Sequence, residues 1–210
     1  MKKIMFNDKY GLTKAVLDGR KTQTRRIINP QPMYNENIGI CWKGYAYGIN
    51  LSKEGTYHNF ISGTEYDKSC KRYRKGEVVA IAQSYKDIFT EFSKQPNQKL
   101  NISVKNPTDT AGWNNKMFIK SEFMPHQIRI TNVRLQRLQD ISDEDCLAEV
   151  IEYIANARAY YVGYNTKTGK RCWLGSTPKK AYAALIDKVS GKGTWDSNPY
   201  VWVYEFKLIK

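Results

Sequence analysis

Residues 12–28 read LTKAVLDGRKTQTRRII, and this stretch holds a complete change from helix to strand. Apolar residues at helical spacing predict a helix that Asp8 can cap and that runs to about Leu17. Gly19 is a typical C-terminal stop for such a helix. The threonines and the alternation in residues 20–28 then predict an extended segment, which a proline-rich turn closes. A helix and a strand are therefore expected side by side near the start of the chain.

Strand patterns recur outward from this stretch. Short runs at 2–6, 78–82 and 128–135 have the apolar content or the alternation of strands. The last segment, 200–208, has large apolar residues at all its even positions, while its odd positions turn polar near the end. Between these runs, residues 33–75 predict short strands and loops, and the polar residues 93–116 predict a long loop.

Two further helices are predicted. Ser142 opens one of them with a variant capping box, and its apolar stripe continues to Ile154. Thr177-Pro178 begins the other, which stops at Gly191. Three helices among several strands favour an α+β fold built on a small curled sheet or barrel. At 210 residues, the chain is interpreted as a single domain spanning residues 1–210.

The charge of the chain favours a polyanionic partner. It carries 34 Lys and Arg against 20 Asp and Glu, a formal charge of +14. Nucleic acid is the first candidate, an anionic membrane surface the second, and a protein that is simply basic the alternative. Basic residues are concentrated in 1–30 and 68–75, whereas 140–152 holds six acidic residues and no basic one. A basic face separate from an acidic helix is typical of a binding surface.

Several classes of protein are disfavoured by what the sequence lacks. No apolar run has the length of a membrane span, and the N-terminus turns polar too soon for a signal peptide, so we expect a cytoplasmic protein with no membrane partner. Phosphate-loop, dinucleotide, zinc-protease, nucleophile-elbow and kinase motifs are all missing. The four cysteines form no CxxC pair and are interpreted as free thiols, so neither a metal nor a cofactor is predicted.

The best candidate site is DGRKTQTRR at 18–26. Four cations and two hydroxyls occur within residues 20–26. Arginine and lysine beside threonine hydroxyls suit phosphate oxygens or base edges. A lysine near a threonine can also activate the hydroxyl as a nucleophile, provided that burial lowers the lysine pKa. A solvated basic strand is the alternative.

At this point the sequence resembles a known family. LxxAVLDGRKTQTRR is similar to the N-terminal motif of ASCH-domain proteins, a branch of the PUA-like fold, in the version common in phages and prophages. The resemblance continues, in the family's order, at KGEVVAIAQSY (75–85), at MPHQIRITNVRLQRLQDISDEDCLAEVI (124–151) and at AYAALIDKVSGKGTWDSNPYVWVYEFKLI (181–209). Residues 31–74 and 86–122 match no part of the family and are interpreted as insertions.

The resemblance implies a small PUA-like β-barrel flanked by about three helices, with inserted loops, in which the GRKT segment lines a cleft. Family members are described as binding RNA or nucleotides there, so the resemblance implies binding of RNA, single-stranded nucleic acid or a nucleotide. Trp195 could stack on a base and Asn198 could read a base edge, or both could serve only the turn that contains them. The predicted nucleic-acid contacts are Arg20, Lys21, Thr22, Thr24, Arg25, Arg26, Arg129, Trp195 and Asn198.

The resemblance also implies two alternatives that involve catalysis. Some small bacterial members are amidohydrolases of N4-acetylcytidine that use a Lys and a Thr three residues apart and a Glu on a later strand, and other members are reported as ribonucleases. By position, the catalytic pair would be Lys21 and Thr24. The glutamate position aligns with Arg129, and the Arg-Glu dipeptide that phage-type relatives often have after the Gly-Asp turn aligns with Ala82-Gln83.

Neither Arg129 nor Gln83 can act as a general acid or base, so an enzyme needs another carboxylate near Lys21. Glu205, Glu77 and Asp196 are the candidates. The carboxylate nearest to Lys21 therefore distinguishes hydrolysis from binding. A third reading is a phage-encoded factor that binds a host protein through the acidic helix or the insertions. The oligomeric state is not indicated.

Overall fold

The structure is a computed structural model that describes residues 1–36, 39–42, 45–47, 50–51, 57–58, 72–93, 111–164 and 171–209. The strands in chain order are β1 (Lys3–Ile4), β2 (Gln23–Ile27), β3 (Met33–Asn35), β4 (Gly39–Trp42), β5 (Tyr45–Tyr47), β6 (Asn50–Leu51), β7 (Tyr57–His58), β8 (Val78–Ile81), β9 (Gln127–Arg137), β10 (Ile151–Ile154), β11 (Ala159–Tyr164), β12 (Arg171–Gly175) and β13 (Tyr200–Leu208). The α-helices are α1 (Leu12–Leu17), α2 (Tyr85–Phe92), α3 (Asp143–Ala148) and α4 (Pro178–Ser190). Short 3₁₀ turns lie at Asp8–Tyr10, Lys116–Phe118, Ser121–Phe123, Leu138–Asp140 and Ala155–Ala157.

A five-stranded sheet with the order β1-β8-β9-β13-β2 forms the centre of the fold. Only β1 and β8 run parallel, and the other neighbours are antiparallel. Smaller sheets β10-β11-β12 and β3-β4-β5 and the pair β6-β7 complete the topology of the described residues. The predicted α+β class is confirmed. Within those residues the edge strands β1 and β2 do not pair with each other, so the sheet is open there.

The last strand of the chain lies inside the central sheet, between β9 and β2. Its residues 201–204 are all buried, because both faces of the sheet are covered at this point. The buried residues of β13 and β8 belong to one large apolar core, except Ala80. Ala80 joins a smaller cluster with Ile88 of α2, Ile119 and Met124. The alternation seen in the sequence thus identifies the strand but not the burial of both its faces.

Local signals at the ends of α4 are confirmed. Thr177 accepts a hydrogen bond from the Lys180 amide, Pro178 occupies the first turn, and Gly191 ends the helix with φ +114°. The first helix is shorter than expected. Asn7 caps the 3₁₀ turn, and α1 begins only after Gly11, whose φ is +67°.

The predicted extension of the third helix to Ile154 is wrong. Ser142 caps α3 as expected, but the helix ends at Ala148 and residues 151–154 form β10, paired with β11. Between them, Val150 has φ +90°, a left-handed value that interrupts any helix. The isoleucines at both ends of β10 suit a strand, so cross-strand pairing overrides the helical stripe.

Helix α2 is not among the predicted helices. Ser84 and Asp87 form a capping box at its start, and Ile88 is the buried residue of the helix. Residues 94–110, most of the predicted long loop, lie outside the described residues. In the part of the chain that the structure describes, no helix combines the length and apolar character needed to cross a membrane.

Candidate functional site

A cavity of about 490 Å³ lies between β2, β13, α4 and the N-terminal segment. This volume is within the range of small-molecule sites. Strand β2 supplies Thr24, Arg25 and Arg26 to its wall, and Lys21 joins them from just before the strand. Aromatic side chains form much of the rest of the wall: Phe6, Tyr73, Tyr182, Trp202 and Tyr204.

The turn between α1 and β2 fixes the position of Lys21. The backbone amides of Arg20 and Lys21 both donate to the Ala15 carbonyl, 2.9 and 3.0 Å away, and so satisfy an orphan carbonyl at the end of α1. The next amide, of Thr22, donates to the Ala148 carbonyl at 3.0 Å. The start of β2 is thereby tied to the end of α3, which brings the acidic segment against the basic one.

Lys21 and Glu149 form a buried ion pair at the cavity. The Lys21 ammonium donates to Glu149 Oε2 and, at 3.3 Å, to the Glu149 carbonyl oxygen. Only 2% of the Lys21 side chain and 5% of the Glu149 side chain are exposed. Burial lowers the pKa of Lys21 below its ordinary value, although the Glu149 carboxylate acts in the opposite direction. A lysine of this kind can give up its proton more readily than a solvated one.

Arg25 extends this pair into a network. Its Nη1 donates to Glu149 Oε1 at 3.0 Å and its Nη2 donates to Asp145 Oδ2 at 2.6 Å. Asp145 also accepts hydrogen bonds from the side-chain amide of Gln23 and from the guanidinium of Arg134. Burial opposes ionisation of Asp145, but these donors hold its pKa below the ordinary value. Two carboxylates therefore neutralise the cations at this end of the cavity.

Tyrosines near the network remain uncharged phenols. Burial raises the pKa of Tyr182 well above its ordinary value and that of Tyr204 to about 12. The Arg25 guanidinium lies over the Tyr182 ring, with its Cζ 5.9 Å from the ring centroid. The cavity thus combines flat apolar walls with an internal ion pair and the Thr24 hydroxyl.

Of the nine predicted contact residues, the structure brings four together at the cavity: Lys21, Thr24, Arg25 and Arg26. Arg20 and Thr22 are exposed beside it, and Arg20 pairs with Asp18 and Glu152. Arg129 is exposed on β9 and donates to the Gly76 carbonyl, outside the cavity.

The loop before β13 makes the contacts of a structured turn. Trp195 is half-buried, and its ring meets that of Tyr182 edge-on, 6.2 Å between centroids. Asn198 has φ +41°, and its side-chain oxygen accepts from the Gln139 amide. Neither residue lines the cavity.

Glu149 is the functional residue that sequence reasoning missed. The carboxylates considered for Lys21 lie elsewhere: Glu205 pairs with Arg134, Glu77 pairs with Lys2, and Asp196 is exposed. A usable signal was present, because Glu149 is a charged residue within an otherwise apolar run that ends in Val150 and Ile151. A charge among buried neighbours requires a buried partner.

Gln83 aligns with the glutamate of phage-type ASCH-domain proteins. It is buried outside the cavity, and its side-chain amide donates a hydrogen bond to Glu91. His126 contacts the same glutamate at 2.5 Å.

Among the residues described, no cluster of three His, Cys, Asp or Glu side chains could hold a metal ion. Cys146 is a free, buried thiol, and burial raises its pKa to about 12. The other three cysteines lack any described side chain.

The acidic segment also bears on the predicted docking surface for a host protein. Asp145 and Glu149 are occupied by internal cations, whereas Asp143 and Glu144 are exposed.

Comparison of the chain with protein-family models, with curated proteins and with solved structures gives no match.

Proposed function

We propose that this protein is a hydrolase that removes an acyl group from an exocyclic amide of a modified nucleoside, of the N4-acetylcytidine type. The observation that carries the proposal is the buried Lys21–Glu149 pair in one cavity with Thr24. The resemblance to ASCH-domain amidohydrolases required a Lys, a Thr and a carboxylate. Glu149 supplies the carboxylate that neither Arg129 nor Gln83 could provide.

The proposed chemistry depends on the lowered pKa of Lys21, because a lower pKa leaves more of the amine in its neutral form. In its neutral form, Lys21 takes the proton of the Thr24 hydroxyl while Thr24 Oγ1 attacks the acyl carbonyl carbon. The C–N bond breaks, Lys21 returns the proton to the leaving nitrogen, and the acyl group remains as a threonine ester. Water then attacks the ester, with Lys21 again accepting and returning a proton, and a carboxylic acid leaves. Burial lowers the pKa of the Lys21 amine, while Glu149 orients the amine and partly opposes that shift.

The aromatic wall supports a nucleoside substrate. Tyr73 and Tyr204 meet edge-on with centroids 5.2 Å apart, and Trp202, two residues before Tyr204 in β13, also lines the cavity. Flat apolar side chains of this type stack on unpaired bases. The volume and the aromatic lining thus fit one nucleoside rather than a duplex.

The decisive experiment is incubation of the protein with N4-acetylcytidine, with cytidine and acetate measured by chromatography. We expect release of both products, and a loss of kcat/KM of about 100-fold or more in Thr24→Val, because the nucleophile is gone. Thr22→Val is the matched control, since Thr22 lies two residues earlier, is exposed and lies outside the cavity. Equal activity of Thr24→Val and wild type, or no hydrolysis by the wild type, contradicts the proposal.

A second candidate is binding of RNA or single-stranded nucleic acid without hydrolysis. The formal charge of +14 favours it, and so do the cavity-lining cations Arg26 and Arg72. A titration of labelled single-stranded RNA at two salt concentrations tests it, with the RNA recovered afterwards. Salt-sensitive binding with intact RNA supports binding alone, whereas cleavage that depends on Lys21 supports a ribonuclease.

The finer details of the fold belong to the same proposal. We take the five-stranded sheet to be the described part of a small PUA-like barrel, and we take residues 31–74 and 86–122 to be insertions into the sequence of that fold. Support comes from the position of β2. A turn that contains Gly19 connects α1 to β2, and β2 lines the cavity, as the resemblance implies for the GRKT segment.

A further inference from the structure

The charges around the cavity are unevenly compensated. At one end, Lys21 and Arg25 share the carboxylates of Glu149 and Asp145. Arg26 and Arg72 also line the cavity, but neither has a carboxylate within 4.0 Å among the described residues. The cavity therefore combines a neutralised end with two guanidinium groups that form no ion pair with the described residues.

Arg26 keeps most of its hydrogen-bonding capacity. It is paired with Trp202 across the β2–β13 ladder, and its guanidinium lies over the Phe6 ring, 5.6 Å from the centroid. Its one hydrogen bond to the described residues is from Nη2 to the Met5 carbonyl. A guanidinium has five N–H donors, so the described residues leave several of them for a ligand.

Arg72 lies close to Arg26 and repels it. The Arg72 guanidinium lies 5.7 Å from the centroid of the Tyr73 ring, and Tyr73 in turn meets Tyr204. Burial lowers the pKa of Arg26 from its ordinary value, and the positive charge of Arg72 acts in the same direction. The Glu149 carboxylate offsets part of this effect on Arg26. Two nearby cations that form no ion pair with the described residues still attract an anion where solvent is partly excluded.

We propose that Arg26 and Arg72 form a phosphate subsite, so that the preferred ligand is a nucleotide rather than a free nucleoside. The proposal rests on the proposed function, because the base of that nucleotide is the group that reaches Lys21, Thr24 and Glu149. Paired guanidinium groups match the geometry and the charge of phosphate oxygens. Tyr73 and Tyr204 lie beside Arg72 and provide the wall on which the base stacks.

The phosphate can belong to a free nucleotide or to a nucleotide within an RNA strand. Isothermal titration of the wild type with cytidine, cytidine 5′-monophosphate, inorganic phosphate and a short single-stranded RNA distinguishes these sources. Cytidine and its monophosphate are products of the proposed reaction type and are not consumed. We expect the monophosphate to bind about tenfold or more tightly than cytidine.

Arg72→Ala tests the subsite without risk to the fold, because Arg72 is exposed, and Arg26→Gln tests its half-buried member. Both should reduce the preference for monophosphate over cytidine to about twofold or less. Arg74→Ala is the matched control, since Arg74 is exposed two residues away and does not line the cavity. RNA binding that depends on Arg72, without binding of the monophosphate, supports the subsite and assigns the phosphate to a polynucleotide.

Two results would overturn the subsite. One is measurable and equal affinity of the wild type for cytidine and its monophosphate, or no binding of either together with RNA binding that does not depend on Arg72. The other is an unchanged preference in both Arg72→Ala and Arg26→Gln. If cytidine binds and N4-acetylcytidine is hydrolysed in either case, the proposed function survives the loss of the subsite. If Arg72-dependent binding of phosphate is found but no acyl nucleoside is hydrolysed, the subsite stands and the hydrolase proposal fails.

Discussion

At the scale of single residues, Val150 occupies the least favourable backbone conformation near the site. It is buried, β-branched and has φ +90°, a region in which only glycine is comfortable. Strain of this kind costs about 1–3 kcal/mol and is retained where surrounding structure enforces it. Val150 directly follows Glu149, so the strained turn sets where the Glu149 carboxylate meets Lys21 and Arg25.

The strain predicts an inverted order of stability for two substitutions. In most elements glycine is about 0.5–1 kcal/mol less stable than alanine. At Val150 both variants lose the contacts of the two γ-methyl groups and glycine also loses those of the β-carbon, but only glycine relieves the strain. We therefore expect Val150→Gly to be more stable than Val150→Ala by about 1 kcal/mol in urea denaturation. The usual order, with alanine more stable, would show that Val150 is unstrained.

The Lys21–Glu149 pair predicts a pH dependence with a definite sign. In the proposed hydrolysis Lys21 acts as a base, so kcat/KM should rise with pH through a pKa below 10.5, the ordinary value of a lysine. Glu149 raises that pKa, so Glu149→Gln should move the rising limb to lower pH. A pH–rate profile measures both effects. Glu152→Gln is the control, since Glu152 pairs with Arg20 outside the cavity, and an identical shift there would contradict the assignment.

The same pKa has a consequence for stability. Between the lowered folded-state pKa of Lys21 and about 10.5, the unfolded chain binds more protons than the folded one. The contribution of Lys21 therefore makes the free energy of unfolding rise with pH in this window. Urea titrations of wild type and Lys21→Met at several alkaline pH values should show the rise only in the wild type. A parallel rise in Lys21→Met would assign it to other groups.

At the scale of elements, α3 is held to β2 through charge. Asp145 binds Arg25, Arg134 and Gln23, and its pKa is lower than usual despite partial burial. A depressed carboxyl pKa contributes stability that is present above the unfolded value of 3.8 and is lost as pH falls through the folded value. Because 18% of the Asp145 side chain is exposed, solvent screening reduces this contribution to the free energy of unfolding.

Acid unfolding tests this attachment. We expect the stability of the wild type to fall more steeply below about pH 4 than that of Asp145→Asn, which has no carboxylate to protonate. Asp143→Asn is the matched control, because Asp143 belongs to the same first turn and is exposed. Circular dichroism at fixed urea and varying pH measures all three. Superimposable acid profiles would show that the Asp145 contacts contribute nothing.

The elements also show what the sequence could predict. Caps such as Thr177-Pro178 and Gly191 are local, so α4 was predicted to the residue. The end of α3 depends on pairing between β10 and β11 and on a strained Val150, which no local pattern encodes. The cavity residues of 20–26 follow from their density of cations and hydroxyls. Glu149 becomes their partner only through the fold, 128 residues along the chain from Lys21.

At the scale of the whole molecule, the charge exceeds what the cavity can use. The cavity leaves Arg26 and Arg72 without a carboxylate among the described residues, while the chain carries a formal +14. Exposed cations such as Arg74, Lys75 and Arg129 lie outside it. A longer polyanion can therefore gain contacts that a single nucleotide cannot reach.

This excess predicts different salt dependences for two ligands. The logarithm of affinity falls with the logarithm of salt concentration by about 0.7 for each phosphate of a single strand that is neutralised. A nucleoside monophosphate should show a slope near that of one contact, and a single-stranded RNA a clearly steeper one. Titrations at three salt concentrations provide both slopes. Equal slopes would confine nucleic-acid contacts to the cavity.

The central position of β13 has a consequence for synthesis of the chain. Ribosomes deliver residues from the N-terminus, and β2 and β9 both need β13 between them. Thr24 is paired with Tyr204, 180 positions further on, so this part of β2 has no partner strand until β13 emerges. Nascent β2 and β9 must wait as two unsatisfied edges, which exposes them to chaperones and to mispairing. Emergence of the nine-residue strand β13 thus joins β2 to β9 and completes the wall of the cavity.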